Sequence, residues 1–330
     1  MSEVLLEVKN LKKYFPIKDN LLKTTIGQVK AVNGVSFTIN KGEAFGLAGE
    51  SGSGKTTVGR TILRMNDKTE GIVKFDGVDV HSLSKKALTK LRPQMQYIFQ
   101  DPYSSLNPRM RIGDAIAQPL LEHGLARKSN VREKVLELLK VCGLSDYQID
   151  RFPHEFSGGQ RQRIVIARAL ALNPKLIIAD EPVSALDVSI QAQIINLFSD
   201  LKDEKGLSYL FISHDLSVIE HLCTRIAIMY LGNIVEIADR DELFKNPLHP
   251  YTKALLSAVP IPDPTIKRNR IILTGDMPNP ANPPSGCKFH TRCPYVMDKC
   301  KDVDPEFRKI TEGHEVACHL VNKNSTFIEK

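Results

Sequence analysis

Gly49 to Thr56 read G-E-S-G-S-G-K-T, which matches the pattern G-x-x-x-x-G-K-[ST]. Gly49, Gly52 and Gly54 can take backbone angles that turn successive N–H groups inward, so the loop forms a nest for an anion. Ser51 and Ser53 complete that loop and Thr57 follows it. Lys55 brings a cation to the β- and γ-phosphates of a nucleotide, and Thr56 offers its hydroxyl to Mg²⁺. The flanks agree: "EAFGLAG" reads as a short buried strand and "KTTVGRTILRM" as a helix. Phosphates would then sit at a helix N-terminus, where the dipole favours anions. A second acidic site is needed, and "KLIIADEP" (175–182) supplies it. Its apolar run reads as a central parallel strand with Asp180 at the C-terminal end, able to hold Mg²⁺ through water. Glu181 stands next to it, placed to polarise an attacking water. Two adjacent carboxylates ending a buried strand are costly as a purely structural choice, and a metal and a water explain them better.

Four further stretches follow at fitting distances: "YIFQDPYSSLNPR" with Gln100, "FSGGQRQRIVIARALAL" from Phe156, "SALD" (184–187), and "LFISHD" (210–215) with His214. With Lys55, Asp180 and Glu181, the set resembles the ATPase subunits of ABC transporters over residues 4 to about 245. Composition and periodicity alone reach only a P-loop ATPase. Read physically, Ser157 and the Gly158–Gly159 amides open a helix and form a second anion site. The resemblance gives that site its use: Ser157, Gly158, Gly159 and Gln160 would bind the γ-phosphate of ATP held by a partner subunit, in a head-to-tail pair. It also implies that Gln100 reaches Mg²⁺ and the water, that His214 contacts the γ-phosphate and orders Glu181, and that Asp187 links the two sites. Phe15 in "LKKYFPIK" aligns with the aromatic that stacks on adenine; Tyr14 is its rival, and a core aromatic at a strand end is the plain reading. Phe156 stands where the family commonly has Leu, an apolar exchange that leaves the site intact. Glu181 is present, so a hydrolysing subunit is implied.

These residues need an α/β frame. "LLEVKNL" and "VSFTIN" read as strands of an antiparallel β subdomain, and core strands fall near 44–48, 95–99, 175–179, 208–213 and 225–230. The stretch 16–30 between the first two strands is longer than a hairpin needs and reads as an exposed loop. "IGDAIAQPLLEHGL" and "VREKVLELLKVCGL" carry apolar residues at helical spacing. The expected fold is a P-loop (RecA-like) α/β core, residues 1–100 and 166–245, with the antiparallel β subdomain. A helical signature subdomain spans 101–165, and a small Cys-rich C-terminal extension spans 246–330. Cys142 and Cys223 sit in apolar helical settings and read as core residues.

The 330 residues carry a net charge of +7, with 42% apolar and 25% charged side chains. That is an ordinary globular composition with a modest positive excess, which suits a phosphate-bearing partner. "MSEVLLEVKN" lacks the basic and apolar regions of a signal peptide, and no apolar stretch is long enough to span a bilayer. A cytosolic chain follows, in which thiols stay reduced.

Beyond about residue 245 the chain turns proline-rich. "NPLHPYTKALL" and the cysteines after it resemble the C-terminal extension of ATPase subunits from oligopeptide and dipeptide importers. "DPYSSLNPR" and "GCKFHTRCPY" look most like the second of the two paired subunits. The family implies two permease subunits, a paralogous ATPase or a second copy of this chain, an extracytoplasmic peptide-binding protein, and a peripheral place on the cytoplasmic membrane face, without nucleic acid. Nickel or oligosaccharide cargo fits the same branch, and a soluble ABC ATPase acting on ribosomes or DNA is the rival from another class. Cys287, Cys293, Cys300 and Cys318 are spaced C-x5-C-x6-C-x17-C. Four thiolates can close on Zn²⁺ or a [4Fe–4S] cluster. The wide spacing favours the larger object, and the resemblance points to the cluster. His290, His314 and His319 leave a mixed zinc site open. The extension has few large apolar residues and is expected to need such a staple.

Overall fold

The computed structural model describes residues 3–19, 24–259 and 270–321. Along the chain run β1 (Val4–Lys18), β2 (Thr25–Asn40), β3 (Ala44–Ala48), α1 (Lys55–Ile62), β4 (Glu70–Phe75), β5 (Val78–Asp79), α2 (Lys85–Leu91), β6 (Met95–Ile98), α3 (Pro102–Ser105), α4 (Ile112–Glu122), α5 (Val131–Val141) and α6 (Gly158–Leu170). They continue with β7 (Leu176–Asp180), α7 (Val188–Lys205), β8 (Ser208–Ser213), α8 (Leu216–Leu222), β9 (Arg225–Tyr230), β10 (Asn233–Asp239), α9 (Arg240–Lys245), α10 (Pro250–Ser257), α11 (Asp298–Asp302), β11 (Arg308–Thr311) and β12 (His314–Val316). The five core strands expected from the sequence stand within a residue of their places. The chain divides into two compact units.

One unit holds 40–44 and 83–212. Its strands β8, β7 and β6 pair in parallel, with Ile178 opposite both Tyr97 and Leu210. Every residue of β7 and β8 is buried. That burial on both faces is why these strands read as unbroken apolar runs rather than alternating ones. The helical subdomain follows β6. In it the Arg161 side chain donates to the Pro153 carbonyl at 2.7 Å and stacks its guanidinium 3.8 Å from the Tyr103 ring centre. The long α7 ends where Gly206 turns left-handed, a conformation glycine takes without a Cβ penalty.

The other unit holds 4–39, 45–82 and the chain from Ser213 onward. It contains the antiparallel sheet β2-β1-β4-β5 and the strand order β11-β12-β10-β9-β3. Strand β3 runs parallel to β9 with Leu47 opposite Ala227, while β10 and β12 are antiparallel with Ile237 opposite Glu315. The exposed loop expected over 16–30 is mostly strand: β1 runs on to Lys18 and β2 starts at Thr25, and residues 20–23 lie outside the described residues. These strand ends are largely exposed and bury no residue fully, so burial does not mark them as strand in the sequence.

The C-terminal extension departs from expectation too. It has an apolar core of its own in Leu248, Val316, Cys318, Leu320 and Val321, flanked by Met297 and Ile310. It also joins the sheet through β12. The join is held by Glu236 of β10, which is fully buried. Its carboxylate accepts from the Leu248 N–H at 2.7 Å, the His249 N–H at 3.0 Å and His314 Nε2 at 2.7 Å. A buried carboxylate with three donors is satisfied; one stripped of them would be strongly destabilising.

His249 caps α10, its Nδ1 accepting from the Tyr251 N–H at 3.1 Å. Burial pushes its pKa from 6.5 down to about 4, with Glu236 opposing the shift. The unfolded chain therefore binds one more proton than the folded chain between those values. The stability contributed by neutral His249 is full above pH 6.5 and is lost as pH falls toward 4, by up to about 1.4 kcal/mol per pH unit. Melting temperatures followed from neutral to mildly acidic pH should fall less steeply for His249→Asn, which keeps a capping acceptor. Equal slopes for the variant and the natural chain would contradict this.

Candidate functional site

The phosphate loop leads from β3 into α1. Gly49, at φ +149°, has no space for a side chain, since a Cβ there would stand 2.2 Å from the Met229 carbonyl oxygen. Gly54 is as confined, at φ +106° and 2.1 Å from the Ala31 oxygen, whereas Gly52, at φ +81°, faces open space. Two of the three glycines are thus required by backbone approach, and the third by its torsion alone. Ser53 is fully buried, and its carbonyl accepts from the Gly232 N–H at 2.9 Å. Lys55 is 4% exposed. Its ammonium donates to the carbonyls of Gly49 at 2.6 Å and Glu50 at 2.9 Å, which holds the cation over the loop. Ser51 and Gly52 are exposed at the loop's tip, and Thr56 and Thr57 are half-buried in the first turn of α1.

The acidic pair ends β7. Asp180 is buried, and Tyr97 Oη donates to its Oδ2 at 2.7 Å. Glu181 carries φ +48°, a left-handed conformation uncommon for a residue with a side chain. It is pinned by its N–H to the Ile212 carbonyl at 2.9 Å, and Gln100 Nε2 donates to its Oε2, also at 2.9 Å. Strain of this kind persists where the surroundings over-determine a residue and concentrates at functional sites. Gln100 and Glu181, both read from sequence, are therefore brought together. Tyr97 was not legible, because nothing in "MQYIF" marks its hydroxyl as the partner of a carboxylate 83 residues away.

The signature opens α6 as expected. Ser157 is the N-cap: its Oγ accepts from the Gln160 N–H at 3.3 Å, and Gln160 Oε1 accepts from the Ser157 N–H at 3.1 Å. This capping box leaves the Gly158 and Gly159 amides at the helix start. Gly159 has a packing reason as well, since a Cβ would lie 2.4 Å from Ile190 Cγ2 of α7. Asp187 stands at the N-cap position of α7 without a side-chain capping bond and is exposed, next to Val188 at 82% exposure. His214 follows β8 and is exposed. Phe15, near the end of β1, is 36% exposed with the Lys13 ammonium 4.7 Å from its ring centre. It is therefore not the core aromatic of the plain reading. Tyr14 instead donates to Asn33 Oδ1 at 2.5 Å.

The four extension cysteines gather in one region. The Cys287 N–H donates to the Cys300 carbonyl at 2.9 Å. Burial pushes the Cys287 thiol up to about 11 and Cys318 to about 12, and each neighbouring thiolate adds to the rise. Yet among the described residues no three His, Cys, Asp or Glu side chains converge to hold a metal ion. Of the histidines a mixed site would draw on, His314 is committed to Glu236, while His290 and His319 face the Cys287 and Val303 carbonyls at 2.9 Å. Cys142 and Cys223 are core residues, and burial raises the Cys142 thiol to about 12.

Residues 32–184 match the ABC transporter family, and residues 235–300 match the family described as oligopeptide/dipeptide transporter, C-terminal region. The oligopeptide transport ATP-binding protein AppF of Bacillus subtilis is 54% identical over 97% of this chain and 98% of its own length. The putative oligopeptide transport ATP-binding protein YkfD of the same organism is 53% identical over 98% and 97%. The dimeric bacterial ABC transporter cassette MJ0796 superposes with a TM-score of 0.64 at 30% identity, covering 72% of this chain and 99% of that one. The cbiO1 subunit from Clostridium perfringens gives 0.63 at 25% identity, covering 73% and 91%.

The loop geometry separates its glycines. Gly54→Ala forces a Cβ into a backbone carbonyl and should weaken ATP binding by about tenfold or more, whereas Gly52→Ala strains only its own torsion and should cost less. Calorimetric titration with ATP reads both. Equal affinities for the two variants would contradict the assigned crowding.

Proposed function

The chain belongs to the ATP-binding subunits of oligopeptide ABC transporters, and on that premise we propose that it hydrolyses ATP to power import of di- and oligopeptides. The observation that carries the cargo class is the 54% identity to an oligopeptide transport ATP-binding protein over almost the whole chain, including the C-terminal region. No described helix is long and apolar enough to cross a membrane. The pathway then belongs to partners: two permease subunits, a paired ATPase of which this chain is the second type, and an extracytoplasmic peptide-binding protein. This chain works at the cytoplasmic membrane face.

The roles follow from the chemistry of each residue. Gly49, Ser51, Gly52, Ser53 and Gly54 line the phosphates with amides and hydroxyls, and Lys55 exchanges its loop carbonyls for phosphate oxygens. Phe15 stacks on the adenine. Thr56, Asp180 and Gln100 would hold Mg²⁺, which when bound would neutralise charge on the phosphate oxygens. The buried Asp180 carboxylate, steadied by Tyr97, suits that use. Glu181 takes the proton of the attacking water, and Gln100 and His214 orient it. Ser157 to Gln160 and Asp187 serve ATP bound by the partner ATPase. ATP binding closes the pair and hydrolysis reopens it, and the permeases convert that cycle into alternating access.

In the extension, Cys287, Cys293, Cys300 and Cys318 would hold a [4Fe–4S] cluster, with Zn²⁺ as the alternative. Support comes from the four thiols lying near one another in the extension and from their wide C-x5-C-x6-C-x17-C spacing. No step of the transport cycle runs through it.

Two measurements test these readings. Glu181→Gln should keep ATP binding while turnover falls by about two to four orders of magnitude; turnover like the natural chain's would contradict the assignment. Protein purified without oxygen should carry about four irons and four sulfides per chain; zinc alone, or no metal, would contradict the cluster.

A further inference from the structure

Glu50 is the first variable residue of the phosphate loop, and the pattern leaves its identity open. In this chain all its polar groups are engaged. Its carbonyl accepts from the Lys55 ammonium at 2.9 Å and the Ser53 N–H at 3.2 Å. Its N–H donates to the Tyr251 hydroxyl at 2.9 Å, and its carboxylate accepts from Arg292 Nη1 at 2.9 Å. The inner side of Glu50 thus faces the catalytic lysine, and the outer side faces two residues more than 200 positions along the chain.

Both outer partners belong to the extension. Tyr251 lies in the first turn of α10 and is fully buried, with a 4.8 Å ring contact to Tyr230 and a 5.3 Å contact to Phe289. Phe289 is itself buried, and the Arg292 N–H donates to its carbonyl at 3.0 Å. One short turn between Cys287 and Cys293 therefore carries both the aromatic wedge and the guanidinium. Surface ion pairs contribute little, but the Arg292 side chain is only 9% exposed, against 29% for Glu50. A charge-assisted hydrogen bond in such a setting holds its geometry well.

We propose that the extension sets how tightly the phosphate loop grips ATP, with Arg292 and Tyr251 as positioning residues that fix Glu50. This rests on the ATP-binding reading above. Fixing Glu50 sets the place of the carbonyl that holds Lys55, and so the place from which Lys55 meets a phosphate. It also keeps the Glu50 amide out of the anion nest, committed to Tyr251. Loss of either outer contact loosens the loop before ATP binds, so the cost falls on affinity and not on the chemical step. An ATPase of this family can thereby be tuned from its C-terminal extension without any change in the loop itself.

The test uses the purified transporter complex and reads KM for ATP, kcat and melting temperature. Arg292→Ala, Glu50→Gln and Tyr251→Phe should each raise KM by about 3- to 10-fold, the size of one ordinary hydrogen bond, with kcat within about twofold. Tyr251→Phe keeps the ring in its cluster and removes only the acceptor, so it reads the contact without the packing. The double variant Arg292→Ala/Glu50→Gln should be no worse than either single one, because the two act on the same contact. Arg292→Lys should recover part of the affinity. Unmoved KM in Glu50→Gln and Tyr251→Phe would overturn the proposal, as would effects of Arg292→Ala and Glu50→Gln that multiply in the double variant. A natural complex without ATP turnover would overturn the ATPase reading itself, whereas normal turnover with unmoved variants overturns only this inference.

Discussion

Backbone crowding around the phosphate loop is the constraint on which the rest of the site depends. At Gly49 and Gly54 the nearest neighbours of a would-be Cβ are carbonyl oxygens of Met229 and Ala31, at 2.2 and 2.1 Å. A loop pressed that closely against other backbone cannot choose its own shape. Its amides are aimed by the strands and loops behind it, and the sequence meets the demand by removing side chains. Lys55 then adds the cation and, by bonding the carbonyls of Gly49 and Glu50, ties the loop's start to the start of α1.

A second class of constraint is buried polarity that must be matched. Glu236 is fully buried and holds three donors from two places: the adjacent amides of Leu248 and His249, and the His314 ring. Asp180 takes a donor from Tyr97, and Glu50 takes one from Arg292. In each case a carboxylate joins segments distant in sequence, and for the buried Glu236 and Asp180 the loss of a partner costs more than the bond contributes, because the charge left behind stays desolvated. The extension is bound to its unit through two of these carboxylates, which makes it part of the machinery's frame.

Local chemistry was legible in the sequence and remote pairing was not. The phosphate loop, Asp180, Glu181 and the Ser157 cap could be read because each draws its meaning from neighbours within a few residues. The core strands could be read because β7 and β8 are buried throughout and so carry unbroken apolar runs, Leu176 to Ala179 and Tyr209 to Ile212. Tyr97, Tyr251 and Arg292 could not, since their partners lie 83, 201 and 242 residues away. The strand ends within 16–30 escaped notice because backbone pairing, not burial, holds them. The core of the extension was missed for another reason: Val316, Leu320 and Val321 are few, and they cluster with Leu248 next to the point where β12 joins an existing sheet. The thiols gather as the sequence suggested, and among the described residues no three ligating side chains converge.

The account stands on ATP turnover being coupled to peptide movement. The most direct measurement is uptake of a labelled oligopeptide into vesicles holding the assembled transporter, with this chain as one ATPase and ATP supplied on its side. Accumulation that requires ATP, together with ATP turnover that rises when the peptide-loaded binding protein is added, is the expected result. ATP turnover that ignores peptides and drives no accumulation would contradict it.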